Sequence, residues 1–274
     1  MRSTLAVVSL CLVLTSCTAR QVSGAASKLS TFASRPLVAA HRAEHFRHSE
    51  NSLEAIEASV KEEIPLIEID IRESSEGIPF LFHDKKIQDN SLVSPKALVG
   101  RGFSSLTSSE IQSITLPKGD QVARLDDVIC AVRNSNSAFI LDVKGDAPLR
   151  DKILASIESC GSQGAYWFLC YSKDCIAQVS DRGEQINFIA RIGSELSMAE
   201  ALLFDPKIIQ IDCDTSCQKD VLEIKSRLPN TLILSKSLWP VKDGVETWSF
   251  LVQEGIDIIL TDNPLILQAH FPEP

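Results

Sequence analysis

Leu66-Ile67-Glu68-Ile69-Asp70 is a hydrophobic run broken at every second position by a carboxylate, and its reading decides the fold. Side chains alternate across a β-strand, so Glu68 and Asp70 share one face and Ile67 and Ile69 the other. Two other apolar runs end in the same polar way, Val38-Ala39-Ala40-His41-Arg42 and Ile140-Leu141-Asp142-Val143-Lys144. In a closed parallel barrel such faces point inward, and the C-terminal strand ends form the rim where active sites are built.

Outward from these runs, short β-branched stretches alternate with helical patterns, as in a parallel α/β fold. Strands are expected at Leu37–His41, Leu66–Ile71, Ala138–Lys144, Tyr166–Tyr171, Asn187–Ile192, Ile208–Asp212, Leu232–Leu238 and Asp257–Thr261. Capping pairs predict helix starts at Asn51/Glu54, Ser197/Glu200, Thr215/Gln218 and Asp243/Glu246. Pro148 can open a helix that Gly161 closes. Eight strands with intervening helices predict a (β/α)8 TIM barrel; a doubly wound sheet would carry a Gly-rich phosphate turn that is missing here. Pro79–His83 follows the second strand too closely for a parallel crossover. It is read as an antiparallel excursion turning near Ser74–Gly77, with Glu68 facing His83. The polar stretch 89–121, with one helix near Ser108–Ile114, is read as a small insertion or lid over the barrel.

The chain opens with Met1-Arg2, an apolar run over Leu5–Val13, then Leu14-Thr15-Ser16-Cys17. That order resembles a bacterial export signal over 1–16, with Cys17 as a lipobox cysteine. Lipidation of Cys17, a flexible tether over 17–34 and a barrel domain over 35–274 are therefore expected, with the protein held at a bacterial envelope membrane, in the manner of outer-membrane sorting. A formal charge of −9, without basic runs, argues against nucleic acid as a partner. Of eight cysteines, Cys11 and Cys17 lie in the leader; Cys130, Cys160, Cys170, Cys175, Cys213 and Cys217 remain. In an oxidising compartment these can form disulfides, with free thiols or a metal cluster as the competing readings.

Taken singly, Glu68 or Asp70 would read as a buried salt bridge with Arg42 or Lys144. Three acids, Glu68, Asp70 and Asp142, at neighbouring strand ends repel one another unless a cation sits among them. Oxygen donors alone favour a hard ion, Ca2+ or Mg2+. His41 and His83 close strand-like runs beside them, and two imidazoles can act as base and acid across a phosphorus atom. Arg42 offers a donor fork suited to phosphate and Lys144 a point charge. His45 and His48 are read as rim residues and His270 as inert.

The ordered set His41-Arg42, Glu50-Asn51, Glu68-x-Asp70, Phe82-His83-Asp84 resembles the signature of the glycerophosphodiester phosphodiesterases. The resemblance continues through Asp142-x-Lys144, Leu238-Trp239 and Gly255-Ile256-Asp257 to Thr261-Asp262-Asn263-Pro264, spanning residues 37 to 267. It implies a barrel enzyme that cleaves glycerophosphodiesters to glycerol 3-phosphate and an alcohol. Glu68, Asp70 and Asp142 would hold one divalent metal, His41 and His83 would exchange protons, and Arg42 and Lys144 would clamp phosphate. Glu50 would orient His41 or reach the metal indirectly, Trp239 would stand in the surrounding shell, and Asn51 would cap the following helix. Ala43 stands where that family usually has Gly, and Asp142 where it usually has Glu. A lysophospholipase-D-like enzyme, with Phe103 and Leu106 lining an apolar groove, and a non-catalytic surface lipoprotein are the alternatives.

Overall fold

The computed structural model describes residues 36–88, 96–180, 182, 185–238 and 242–272. The expected leader with Cys17, the expected tether and Trp239 lie outside the described residues. The strands are β1 (Leu37–Ala40), β2 (Leu66–Glu73), β3 (Pro79–Leu81), β4 (Ala138–Val143), β5 (Tyr166–Cys170), β6 (Ile186–Arg191), β7 (Ile208–Gln210), β8 (Leu232–Ser237) and β9 (Ile258–Thr261). Their order is β1-β9-β8-β7-β6-β5-β4-β2-β3, and β1 also pairs with β2, which closes a barrel of parallel strands with β3 outside it. The expected barrel is the observed one.

Alternation separates two apolar layers. Leu37, Leu66, Ile140, Trp167, Ile189, Ile208, Leu234 and Ile258 fill the barrel interior. Val38, Ile67, Ile69, Leu141, Phe168, Ile209 and Ile233 face outward into a layer shared with the helices. Inner-face positions nearer the strand C-termini are polar, so the same alternation that builds the hydrocarbon floor also builds a charged rim.

The helices are α1 (Leu53–Lys61), α2 (Ser108–Gln112), α3 (Leu125–Ala131), α4 (Ala147–Ser159), α5 (Lys173–Val179), α6 (Met198–Ala201), α7 (Gln218–Arg227), α8 (Val245–Glu254) and α9 (Pro264–His270). Ser197 and Glu200 form the expected capping box on α6, and Pro148 lies in the first turn of α4. Three expected caps move by one or two residues. Ser52, not Asn51, caps α1 by accepting from the Ala55 amide. Cys217 stands at the cap of α7 and Gly244 at that of α8. The displaced side chains have other partners, which matter below for Asn51 and Asp243.

β2 and β3 form the expected antiparallel pair, in a register one residue away from that expected. Ile71 pairs with Leu81 and Glu73 with Pro79, and the Phe82 amide donates to the Asp70 carbonyl. The cause is the odd-numbered loop Ser74–Ile78, closed by Ser74 N–H to Ile78 O and by Gly77 at φ 73. His83 therefore lies beyond the ladder instead of opposite Glu68. The described residues of the insertion carry a core of their own. Phe80, Phe82, Phe103, Leu106, Ile111 and Leu116 belong to a third buried apolar cluster, and Phe82 stacks on Phe103 at 4.7 Å. Phe103 and Leu106 are fully buried, so neither lines a groove. The six cysteines among the described residues are all paired, as Cys130–Cys160, Cys170–Cys175 and Cys213–Cys217.

Candidate active site

β2 and β4 run side by side with Asp70 opposite Asp142. Carboxylate oxygens of Glu68, Asp70 and Asp142 lie within 4.8 Å of one another, and all three residues are buried. Their donors are unevenly shared. The Arg42 amide donates to Glu68 Oε2 at 2.9 Å. Lys144 Nζ bridges Asp70 Oδ1 at 3.0 Å and Asp142 Oδ2 at 2.5 Å. Tyr171 adds its hydroxyl to Asp142 Oδ2 at 3.1 Å. Asp142 Oδ1 is buried with no hydrogen-bond partner. Burial, reinforced by the charges of Asp70 and Asp142, pushes the Glu68 carboxyl well above the ordinary carboxylate range. Asp70 goes the other way: burial opposes ionisation, but Lys144, Arg42 and His83 together outweigh it. A bare buried carboxylate oxygen among three converging acids is costly unless a cation completes it. The donor set is all oxygen, which fits a hard divalent ion.

The β1–α1 loop carries most of the remaining polar groups. Arg42 and Ala43 both adopt left-handed backbone, at φ 56 and 66, and Asn51 does so at φ 56. Each costs roughly 1–2 kcal/mol for a residue with a Cβ, so Ala43 pays a penalty that Gly would not. The turn directs the Arg42 amide at Glu68 and its guanidinium between two acids, with Nη1 on Glu50 at 2.9 Å and Nε 3.3 Å from Asp70 Oδ2. Burial lowers the Arg42 pKa, yet Glu50 and Asp70 raise it by more, so the guanidinium stays charged. Glu50 thus orients Arg42, not His41. Asn51 is buried and grips Asp70 at both ends: Nδ2 donates to Oδ2 at 2.9 Å, and the Asp70 amide donates to Oδ1 at 2.9 Å.

Each of the two histidines leans on a carboxylate. His41 Nδ1 lies 2.7 Å from Asp262 Oδ1 and His83 Nδ1 2.8 Å from Asp84 Oδ1. An ionised carboxylate only accepts, so Nδ1 carries the proton in both rings and Nε2 is left for exchange with a reactant. His45 folds back under the same loop, with Nε2 3.6 Å from Asp262. Asp262 is itself positioned by Asp243, which accepts from the Asp262 amide, Thr261 Oγ1, Asn263 Nδ2 and Trp248 Nε1. His48 stands 3.8 Å from Asp120, and His270 packs edge-on against Phe271.

The profile of the Glycerophosphoryl diester phosphodiesterase family matches residues 41–189, more than half of the chain. This chain belongs to that family. The matched span starts at His41 and includes His83, the three acids and Lys144, but ends before Asp243 and Asp262. A glycerophosphodiester phosphodiesterase of Arabidopsis thaliana is 30% identical over 123 residues, 44% of this chain and 37% of that protein. The chain therefore aligns with little over a third of that curated relative. Among solved structures, a phosphodiesterase from Oleispira antarctica in complex with the product sn-glycerol-3-phosphate is 17% identical, with a TM-score of 0.70 over 86% of this chain and 97% of that one. A glycerophosphodiester phosphodiesterase from Agrobacterium tumefaciens is 18% identical, with a TM-score of 0.66 over 85% and 99%. At these identities the two structures speak for the fold.

Some roles in this phosphodiesterase-family chain went unread in the sequence: Asn51 as the holder of Asp70, Asp262 and Asp84 as the partners of His41 and His83, and Tyr171 on Asp142. Asp262 stood within a recognised motif without a role. Tyr171 occupies the inner-face position two residues after Leu169, so strand alternation alone could have nominated it.

Proposed function

We propose that this chain hydrolyses glycerophosphodiesters to glycerol 3-phosphate and an alcohol, with a divalent cation held by Glu68, Asp70 and Asp142. The observation that carries the reading is the unpartnered Asp142 Oδ1 buried beside Glu68 and Asp70, with Arg42 and two carboxylate-backed imidazoles around the same rim. Family membership supports the reaction class, and the product bound to the Oleispira relative supports the substrate class. Ca2+ or Mg2+ in the acid cluster would neutralise charge on the phosphoryl oxygens.

The protein's own groups supply the rest. Arg42, kept charged by Glu50 and Asp70, presents donors to a second phosphoryl oxygen. Lys144 holds Asp142 Oδ2, which leaves Oδ1 as the oxygen that would serve a cation, and its charge would add to the pull on the phosphate. One imidazole takes the proton from the attacking group through Nε2, either water or the neighbouring glycerol hydroxyl, and in the second case water then opens the cyclic phosphodiester to glycerol 3-phosphate. The other, starting as imidazolium, gives its Nε2 proton to the departing oxygen. Asp262 and Asp84 fix the rings and stabilise whichever becomes imidazolium.

Release of glycerol 3-phosphate from glycerophosphoethanolamine by the purified protein tests the reading. Chelator should abolish release, and added Ca2+ or Mg2+ should restore it. His41→Ala and His83→Ala should each lower kcat by about 10²–10⁴; near-full activity in either variant would overturn the proton-transfer assignment. Cys17 as a lipid anchor would hold this activity at a bacterial envelope membrane, and acyl labelling of Cys17→Ala against wild type would test that. The lysophospholipid alternative loses the apolar groove expected from Phe103 and Leu106, since both are buried in the insertion.

A further inference from the structure

The rim opposite the acid cluster carries charged groups that this mechanism leaves unused. Ile189, Ile208 and Leu234 fill the barrel interior, and period-two alternation continues their face to Arg191, Asp212 and Lys236. Arg191 Nη2 lies 2.7 Å from Asp212 Oδ2, and Lys236 Nζ lies 3.4 Å from Asp212 Oδ1. Asp212 remains 45% exposed, so the group is open to a ligand. Burial works against its ionisation, but the Arg191 hydrogen bond and the charges of Arg191 and Lys236 win, and its carboxyl is held below the ordinary range.

Tyr171 joins this group to the acids. Cys170 pairs with Ala190, so the same register sets Tyr171 beside Arg191, while its hydroxyl reaches Asp142. On the far side, β8 pairs with β9, whose end leads to Asp262 and His41. The cluster therefore flanks the proposed phosphate position on the same rim.

We propose that Arg191, Asp212 and Lys236 form a polyol subsite, which binds an arm of the diester that carries neighbouring hydroxyls and no positive charge. It rests on the diesterase reading above. Each carboxylate oxygen of Asp212 accepts one charged donor and retains a lone pair for a hydroxyl. Arg191 and Lys236 can donate to the hydroxyl oxygens in return. Two cations against one carboxylate leave the subsite net positive, so a trimethylammonium arm is disfavoured there.

The test compares kcat/KM for glycerophosphoglycerol with that for the diol-free bis(p-nitrophenyl) phosphate, in wild type, Lys236→Met and Asp212→Asn. The ratio should fall about 10-fold in each variant, the scale of one hydrogen bond to a charged group. Glycerophosphocholine separates the two sources of the diol. A parallel loss on it places the common glycerol in the subsite; a loss confined to glycerophosphoglycerol places the departing alcohol there, and both support the subsite. An unchanged ratio, or an equal fall on all three substrates, overturns it and leaves the cluster a structural tie between strands. A wild-type protein that cleaves none of the three refutes the diesterase reading instead.

Discussion

Two sets of buried or half-buried carboxylates lie in this barrel, and their hydrogen-bond accounts are opposite. Asp243 and Glu254 are oversupplied. Asp243 accepts from an indole, a hydroxyl, an amide side chain and a backbone N–H. Glu254 Oε2 accepts from Ser216 Oγ and from the Cys217 and Gln218 amides, which ties α8 to the start of α7. Glu68, Asp70 and Asp142 crowd within 4.8 Å, and one Asp142 oxygen has no donor at all. Acids that hold the fold together are saturated by the chain. Acids that serve the proposed reaction are left short by about one cation, and the fold bears that cost at the rim.

Removing an acid from the short set should destroy function and spare the fold. Asp142→Asn is expected to cut kcat/KM by about 10²–10³, the scale of losing one electrostatic contributor to a transition state. Without metal the variant should melt close to wild type, because the relief of repulsion from Asp70 offsets the weakened pair with Lys144. With free Ca2+ 100-fold above its Kd, wild type gains about 2.7 kcal/mol by linkage, and the variant should gain much less. A variant that melts well below wild type without metal would erase the contrast between the two sets.

The saturated set should respond the other way. Glu254→Ala strands three donors and uncaps α7, which should cost about 1–3 kcal/mol. Urea midpoints would read this, while kcat on a glycerophosphodiester stays within about twofold in native buffer. The Cys213–Cys217 disulfide still closes the loop before α7 in this variant. A fall in kcat matching the stability loss would mean that the tie between α7 and α8 reaches the reacting groups.

The sequence displays these two sets unequally. Glu68, Asp70 and Asp142 are legible because period-two alternation fixes their common face without any tertiary knowledge, and the same rule yields the barrel. Asp262 is harder: its partner His41 is 221 residues away in the chain, and only closure of β1 on β9 brings them together. Asn51 looks like a helix cap because Asn commonly is one; its left-handed backbone moves the cap to Ser52 and turns its amide onto Asp70. The β2–β3 register slips by one because loop parity, set by Gly77 and the Ser74–Ile78 bond, is invisible in hydrophobicity. The insertion reads as polar because Phe103, Leu106, Ile111 and Leu116 lack a regular period, although all are buried.

Glu200 offers the gentlest probe of the contrast, since it is a saturated carboxylate in solvent. Lys173 donates to Oε1 at 2.8 Å, while the Ser197 hydroxyl and amide donate to Oε2 at the start of α6. The hydrogen bond from Lys173, followed by those from Ser197, brings its carboxyl from 4.5 down to about 2. A folded-state pKa below the unfolded one adds stability above the unfolded value, and that stability disappears as pH falls through the folded value. Glu200→Gln keeps an acceptor for the cap and removes only the charge. Its Tm should therefore sit slightly below wild type near neutral pH, and the gap should close between pH 4.5 and about 2. Salt should shrink the gap at neutral pH, because the pair is exposed. If the gap stayed constant down to the acid end of that window, the Gln amide, and not the missing charge, would be responsible. Saturation would then be a matter of geometry at this cap, and the electrostatic account of the saturated acids would have to rest on buried Glu254 and half-buried Asp243 alone.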